Sequence, residues 1–229
     1  MNAFFNSNLL ASPWSFYAIF KKEEEEVEYE SRMKLLGYVT TIEEFWEVYS
    51  HIKRPDQLPV GSALHFFRNH SRAMREDEEN KNGGSFLIRI TPGLANFYWE
   101  QILISLISNR MSEDINGVII SSRPKFGDKY FQLNIWHKTA ENEDLRLEIC
   151  RQICDVLPFE RDPAKPVRID FSLQAEMIAS QKENHPIHYL LQPDGPVITQ
   201  FQSKVPHGPT QSAVAESSQE AVKEEKAEQ

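Results

Sequence analysis

"YFQLNIW", residues 130 to 136, alternates so regularly that it orients a strand. Phe131, Leu133 and Ile135 share one side, and Tyr130, Gln132, Asn134 and Trp136 share the other, because successive side chains of an extended chain point to opposite faces. One face is therefore apolar and the other polar with a tryptophan at its end. Trp136 is open to two readings, stacking against a ligand or packing on a neighbouring strand.

Working outward, "SRPKFGDK" precedes this strand and offers a turn at Gly127 and Asp128, with "GVIIS" before it as a second strand. "WSFYAIF" at 14–20, "SALHFFR", "SFLIRI" and "PVRIDFS" are further strand candidates, rich in aromatic and β-branched residues. In the last two, Phe86, Ile88 and Ile90, then Val167, Ile169 and Phe171, face together.

Three helices are set among these strands. In "TTIEEFWEVYSHI", Thr40 or Thr41 can cap the helix, and Glu43 or Glu44 three residues on can complete a capping box. Ile42, Phe45, Tyr49 and Ile52 recur at helical spacing as a core face, leaving Trp46 on its flank. "LANFYWEQILISLISNR" is apolar on most sides, interrupted by Glu100 and Gln101, so it must be covered on more than one side or present a surface to a partner. "NEDLRLEICRQICDVL" places Ile149, Ile153 and Val156 on one side. Strands and helices in this order, without regular alternation or glycine-rich turns, predict an α+β fold: a mainly antiparallel sheet backed by helices on one face.

The chain of 229 residues, 40% hydrophobic, can build one domain with a tail. We place the domain at 1–180, an extension at 181–203, and an acidic tail at 204–229 that lacks aromatic residues and is expected to be disordered. A formal charge of -9 argues against a broad surface for duplex or long single-stranded nucleic acid, but leaves room for a site taking a few phosphates. The start "MNAFFNSNLLASPW" carries no secretory or membrane-spanning pattern, so a cytoplasmic protein is expected, with the nucleus also open. Cys150 and Cys154, the two cysteines, read as buried apolar residues rather than metal ligands.

No phosphate-cradling glycine loop, nucleophile elbow or zinc cluster is present, and the histidines stand apart. "REDEE" at 75–79 could supply paired carboxylates for acid–base work, but a solvated acidic loop is the better reading. No catalytic residue, metal or cofactor is expected. A binding chemistry fits better. Tyr29, among Glu28, Glu30 and earlier glutamates, offers a flat ring in a negative neighbourhood, suited to a positively charged base. Arg123, Lys125 and Lys129 cluster around the turn and suit a short phosphate chain.

With these residues in view, the chain resembles the eukaryotic translation initiation factor 4E family, which binds the 7-methylguanosine cap of mRNA. The matching stretches are "PWSFYAIF", "TIEEFWEVYSHI", "EDEENKNGG", "FYWEQILISLIS" and "SRPKFGDK" followed by "NIW", across roughly residues 11–175. The resemblance implies a curved sheet with three helices on its convex face and the cap on its concave side. There, two aromatic rings sandwich the methylated guanine and a glutamate bonds its edge. Tyr29 looks like the first ring, where the family usually has tryptophan, and Glu76 looks like the guanine-reading carboxylate. Arg123, Lys125 and Lys129 look like phosphate ligands, and Trp136 like the residue beside the methyl group, although this sequence is longer between the basic turn and "NIW". Arg75 stands where the family usually has the second tryptophan, and Phe66 or Phe67 is the nearest alternative ring. The resemblance also implies that a helical peptide of the 4G scaffold, or of a 4E-binding inhibitor, docks on the helix side. Ile42 and Trp46 match the hydrophobic pair there, with Glu100, Gln101 and Ile104 on the second helix; Glu100 replaces a usual leucine. The function implied is cap binding in translation initiation without catalysis. A translational repressor or interaction module with weak or altered cap binding is the alternative.

Overall fold

The computed structural model describes residues 8–20, 29–125, 128–159, 167–180, 187–191 and 198–202. The acidic tail, Glu28 and the earlier glutamates, and Gly127 lie outside them. Strand β1 (Leu9–Ile19) pairs with β2 (Met33–Thr41) on one side and β3 (Ala63–Arg68) on the other. β5 (Ile115–Lys125) and β6 (Asp128–His137) follow, then β4 (Gly84–Ile90), β7 (Val167–Leu173), β8 (Ile187–Leu191) and β9 (Ile198–Gln202). Every pairing in this sheet is antiparallel. β8 and β9 extend the sheet beyond residue 180.

The alternation read in 130–136 holds. Phe131, Leu133 and Ile135 are fully buried in the main core, whereas Trp136 packs in a separate small cluster with Phe67, Ala73 and Ile119. The sheet thus has two occupied faces. The main core receives Phe45 and Tyr49 of α2 (Ile42–His51), much of α3 (Pro92–Ile107), and Ile149, Cys150 and Ile153 of α4 (Glu143–Val156). Removing each large side chain from water contributes on the order of 1.5–3 kcal/mol, which is why the helices stay on this face. Two short helices, α1 (Tyr29–Arg32) and α5 (Gln174–Ser180), send Tyr29, Arg32 and Met177 to the other face instead.

At the centre of the core, Trp14 stacks on Phe66 with ring centroids 4.7 Å apart, and Phe16 packs on both Phe66 and Phe45. Phe66 is therefore committed to the helix side. The α2 cap is as expected in kind: Thr41 Oγ1 accepts the Glu44 N–H at 3.1 Å, while the Glu44 carboxylate accepts from the Thr40 N–H and hydroxyl. Thr41→Ala is expected to cost about 1 kcal/mol of stability, read as a lower urea midpoint, by leaving a first-turn N–H without this partner.

One core assignment needs correction. Ile42 is 41% exposed, because it is the first residue of α2 and the core is filled from Phe45 onward. It stands out beside Trp46, 43% exposed, whose ring rests edge-on against Phe45 and Tyr49. Helix α3 is covered in part and exposed in part. α4 and the 3-10 turn Pro55–Gln57 cover part of it, yet Leu94 and Phe97 remain exposed.

Candidate functional site

A cavity of about 480 Å³ opens on the sheet face away from the main core. Strand alternation supplies its floor: His65 from β3, Ile119, Ser121 and Arg123 from β5, and Gln132, Asn134 and Trp136 from β6 all point the same way. The 71–84 loop supplies one wall through Ala73, Met74, Arg75 and Glu76, and α1 supplies Tyr29 and Arg32. Five predicted residues, Tyr29, Arg75, Glu76, Arg123 and Trp136, are thereby brought together from four separate stretches of sequence.

The acidic loop owes its shape to a buried amide. Asn80 Nδ2 donates to the carbonyls of Arg72 (2.9 Å) and Met74 (2.7 Å), and its Oδ1 accepts from Asn116 Nδ2 at 2.7 Å. Gly83 then passes close to β6: a Cβ there would lie 2.1 Å from the His137 carbonyl oxygen. These contacts hold Arg75 and Glu76 at the cavity wall, while Glu78 pairs outward with Lys81 at 2.7 Å. The loop is a solvated connection whose first charged residues face a cavity.

Arg75 lies over the Trp136 ring, its guanidinium carbon 5.6 Å from the centroid, and Phe67 meets Trp136 edge-on at 5.6 Å. Phe67 is thus packed beneath Trp136, and neither it nor Phe66 occupies the second-ring position. Gly117 allows this packing, since a Cβ there would come within 2.4 Å of the Phe67 ring.

Of the acidic neighbours expected around Tyr29, Glu28 and the earlier glutamates lie outside the described residues, and the described charges near the ring are positive. Burial raises its phenol pKa, and the charges acting against that shift are Arg75, Arg32 and Arg123. Glu30 is turned to an ion pair with Arg72. The ring is bordered by guanidiniums, with Arg32 5.8 Å from its centroid.

The basic turn divides. Arg123 lines the cavity and its Nε donates to Gln132 Oε1 at 2.8 Å. Lys125 is exposed at the end of β5 and does not line the cavity. Lys129 lies on the other face of β6, where its Nζ donates to the carbonyls of Asp56 and Leu58 and sits 5.5 Å from the Phe131 ring. Its expected place among the phosphate ligands is corrected on this geometry: it alternates with Tyr130 and shares the face of Phe131.

Reading the sequence missed Arg32, His65, Gln132 and Asn134 as cavity residues. The last two carried a signal, since they share the face of Trp136. His65 is buried, and burial pushes its imidazole down to about 3, so it is neutral near pH 7. Among the described residues its Nδ1 has no hydrogen-bond partner, nor do Arg32 Nε, Arg75 Nε, Ser62 Oγ, Ser121 Oγ and Ser122 Oγ, so six polar groups of the lining have capacity for a polar ligand or water.

On the helix side, a chain of contacts links the two predicted docking stretches. Trp46 touches Tyr49, Arg54 lies 4.1 Å over the Tyr49 ring, and Arg54 pairs with Glu100 at 3.6 Å. Gln101 and Ile104 are half-buried on α3. Among the described residues no cluster of metal-ligating side chains exists, and no helix is long and apolar enough to cross a membrane.

An antiparallel sheet with its three longer helices on one face and a polar, aromatic cavity on the other is an α+β fold with a candidate binding site. The chain belongs to the eukaryotic initiation factor 4E family, whose family model matches residues 9–187. It is 32% identical over 116 residues to the wheat (Triticum aestivum) translation initiation factor NCBP, a match covering 50% of the chain and 48% of that protein. To translation initiation factor 4E1 of Drosophila melanogaster it is 27% identical over 181 residues, covering 76% of the chain and 66% of that protein. The chain thus spans about half the length of the cereal relatives it matches. Among solved structures, a schistosome eIF4E complexed with m7GpppA and 4E-BP superposes with a TM-score of 0.67 at 25% identity, covering 78% of this chain and 94% of that one. Ascaris suum eIF4E-3 with an m2,2,7G cap gives 0.65 at 22% identity, covering 73% and 91%.

Proposed function

We propose that this chain binds the 5' cap of mRNA in the cavity and a helical peptide of a 4G-like scaffold or 4E-binding inhibitor on its helix side, acting in translation initiation in the cytoplasm. The observation that carries the cap reading is the convergence of Tyr29, Glu76, Arg123 and Trp136 on one cavity. In this reading the cavity is the concave side of a curved sheet. Tyr29 stacks on the guanine, the Glu76 carboxylate accepts from its Watson–Crick edge, and Trp136 lies beside the N7 substituent. Arg123 and Arg32 take the phosphates, with Lys125 at the outer end of the hairpin. Proteins of the same fold from Ascaris and schistosome form complexes with an m7G or m2,2,7G cap and with m7GpppA or m7GpppG, which supports the assignment.

Titration of tryptophan fluorescence with m7GpppA tests it. Saturable quenching is expected, and Arg123→Ala should weaken binding roughly tenfold, the loss of one charge-assisted contact of about 1.5 kcal/mol. A folded protein that shows no quenching at millimolar nucleotide would remove the cap reading.

A second reading, a scaffold-binding repressor or interaction module with weak or altered cap binding, is favoured by Arg75. Its guanidinium occupies the face of Trp136 where the family pattern calls for an aromatic ring nearby. Comparing m7GTP with GTP separates the two, because only the methylated base carries a positive charge for Arg75 to oppose.

A further inference from the structure

The cavity face of the sheet does not end at the cavity. Next to Gln132, which Arg123 holds, the register places Arg89 of β4, and β7 lies beyond β4. Arg89 and Arg168 both donate to the Asp170 carboxylate, which also meets His188 Nδ1 at 2.9 Å. Asp170 is buried, and its row confirms the face: it pairs with Leu87, a cavity residue.

The two arginines are half-exposed, and Arg168 Nη2 also meets the His188 ring at 3.0 Å. Two guanidiniums around one carboxylate leave a positive remainder. Burial pushes the Asp170 pKa up, but the bonds from Arg89 and Arg168 outweigh it and hold the carboxyl below its ordinary value. The carboxylate fixes the two planes on the sheet instead of letting them range freely, which lowers the ordering cost of binding an anion. From β5 to β7 the stripe crosses three strand spacings, about 14 Å.

We propose that Arg89 and Arg168 form a phosphate-binding stripe that continues from Arg123 and takes the backbone of single-stranded RNA beyond the cap. This rests on the cap-binding reading above. A net charge of -9 argues against a broad basic surface, so a fixed pair of arginines on the same face as Arg123 gives the exiting chain a defined path. The contact is sequence-independent, because it reads phosphates and not base edges.

The test compares the cap dinucleotide m7GpppG with a capped oligouridine of about ten nucleotides. At low salt the oligonucleotide is expected to bind about fivefold tighter or more, with the advantage shrinking as salt rises by a log–log slope of about 0.7 per phosphate contact. Arg89→Gln combined with Arg168→Gln should abolish the advantage and leave dinucleotide affinity unchanged. Asp170→Asn, which keeps both arginines and removes the opposing charge, should enlarge it. An advantage that is absent, or unchanged in both variants, overturns the stripe. If the dinucleotide itself does not bind, the cap reading falls, and the same variants with uncapped oligouridine decide the stripe by the same two signs.

Discussion

Arg75→Trp is expected to tighten m7GTP binding by roughly one to two orders of magnitude, and to change GTP binding much less. Arg75 lines the cavity with its guanidinium 5.6 Å from the centroid of Trp136, and shares the surroundings of Tyr29 with Arg32 and Arg123. A methylated guanine entering beside Tyr29 brings a delocalised positive charge into that group of cations. Two unit charges about 4 Å apart repel by about 4 kcal/mol at an effective dielectric near 20, and solvent at this open site reduces that figure further. Tryptophan removes the repulsion and adds a stacking partner worth about 1–3 kcal/mol, equivalent to roughly 5- to 150-fold. Neutral guanine gains the stacking but loses a guanidinium plane on which it stacks acceptably, so its net change is smaller. The ratio of GTP to m7GTP dissociation constants should therefore rise. Arg75→Leu, which removes the charge without supplying a ring, should recover part of that rise, and calorimetry with both nucleotides on all three proteins gives the separation. Unchanged m7GTP affinity in the tryptophan variant would mean that side chain 75 leaves the base-stacking position when ligand binds.

What the sequence made legible was whatever depended on alternation and helical spacing. Phe131, Leu133 and Ile135, then Phe86, Ile88 and Ile90, declared their shared face through period two and are all in the main core. β2 escaped because it is an edge strand whose Leu35, Leu36 and Tyr38 are exposed, so its sequence shows no buried stripe. β1 was read short because Pro13, which has no N–H, interrupts it; its register with β2 shifts between Leu9 and Trp14. The site was legible where a side chain's direction followed from its strand. Trp136 obeyed that rule, and so did Lys129, whose parity with Phe131 already placed it opposite Tyr130. Grouping Lys129 with Arg123 by nearness in sequence overrode that parity. The charges around Tyr29 were not legible for a related reason: Arg75 and Arg123 reach it only through the fold.

On the opposite side, Trp46→Ala is expected to weaken capture of a helical 4E-BP-type peptide by at least about 2 kcal/mol, or roughly 30-fold, the scale on which exposed aromatic anchors act when a partner covers them. A ring 43% exposed beside an isoleucine 41% exposed, on a helix whose other aromatic residues are buried, leaves apolar area in water that folding did not use. Its edge-on contacts with Phe45 and Tyr49 set its orientation without burying it. A large fixed side chain of this kind loses little rotamer freedom on binding, so most of the area a partner covers appears as affinity. The same geometry predicts a small stability cost, about 0.5–1 kcal/mol, because truncation leaves Phe45, Tyr49 and Phe16 packed against one another. Cap affinity should not move, since the Tyr29 and Trp136 cavity lies on the other face of the sheet. Calorimetry with the peptide, a urea melt and a cap titration on the same variant distinguish the cases. Peptide affinity retained within twofold would show that Trp46 is not an anchor, and loss of peptide and cap binding together with a large fall in stability would show that it supports the core. Ile42→Ala provides the graded comparison: a smaller side chain on the same exposed face should cost less than the tryptophan while leaving the melt unchanged.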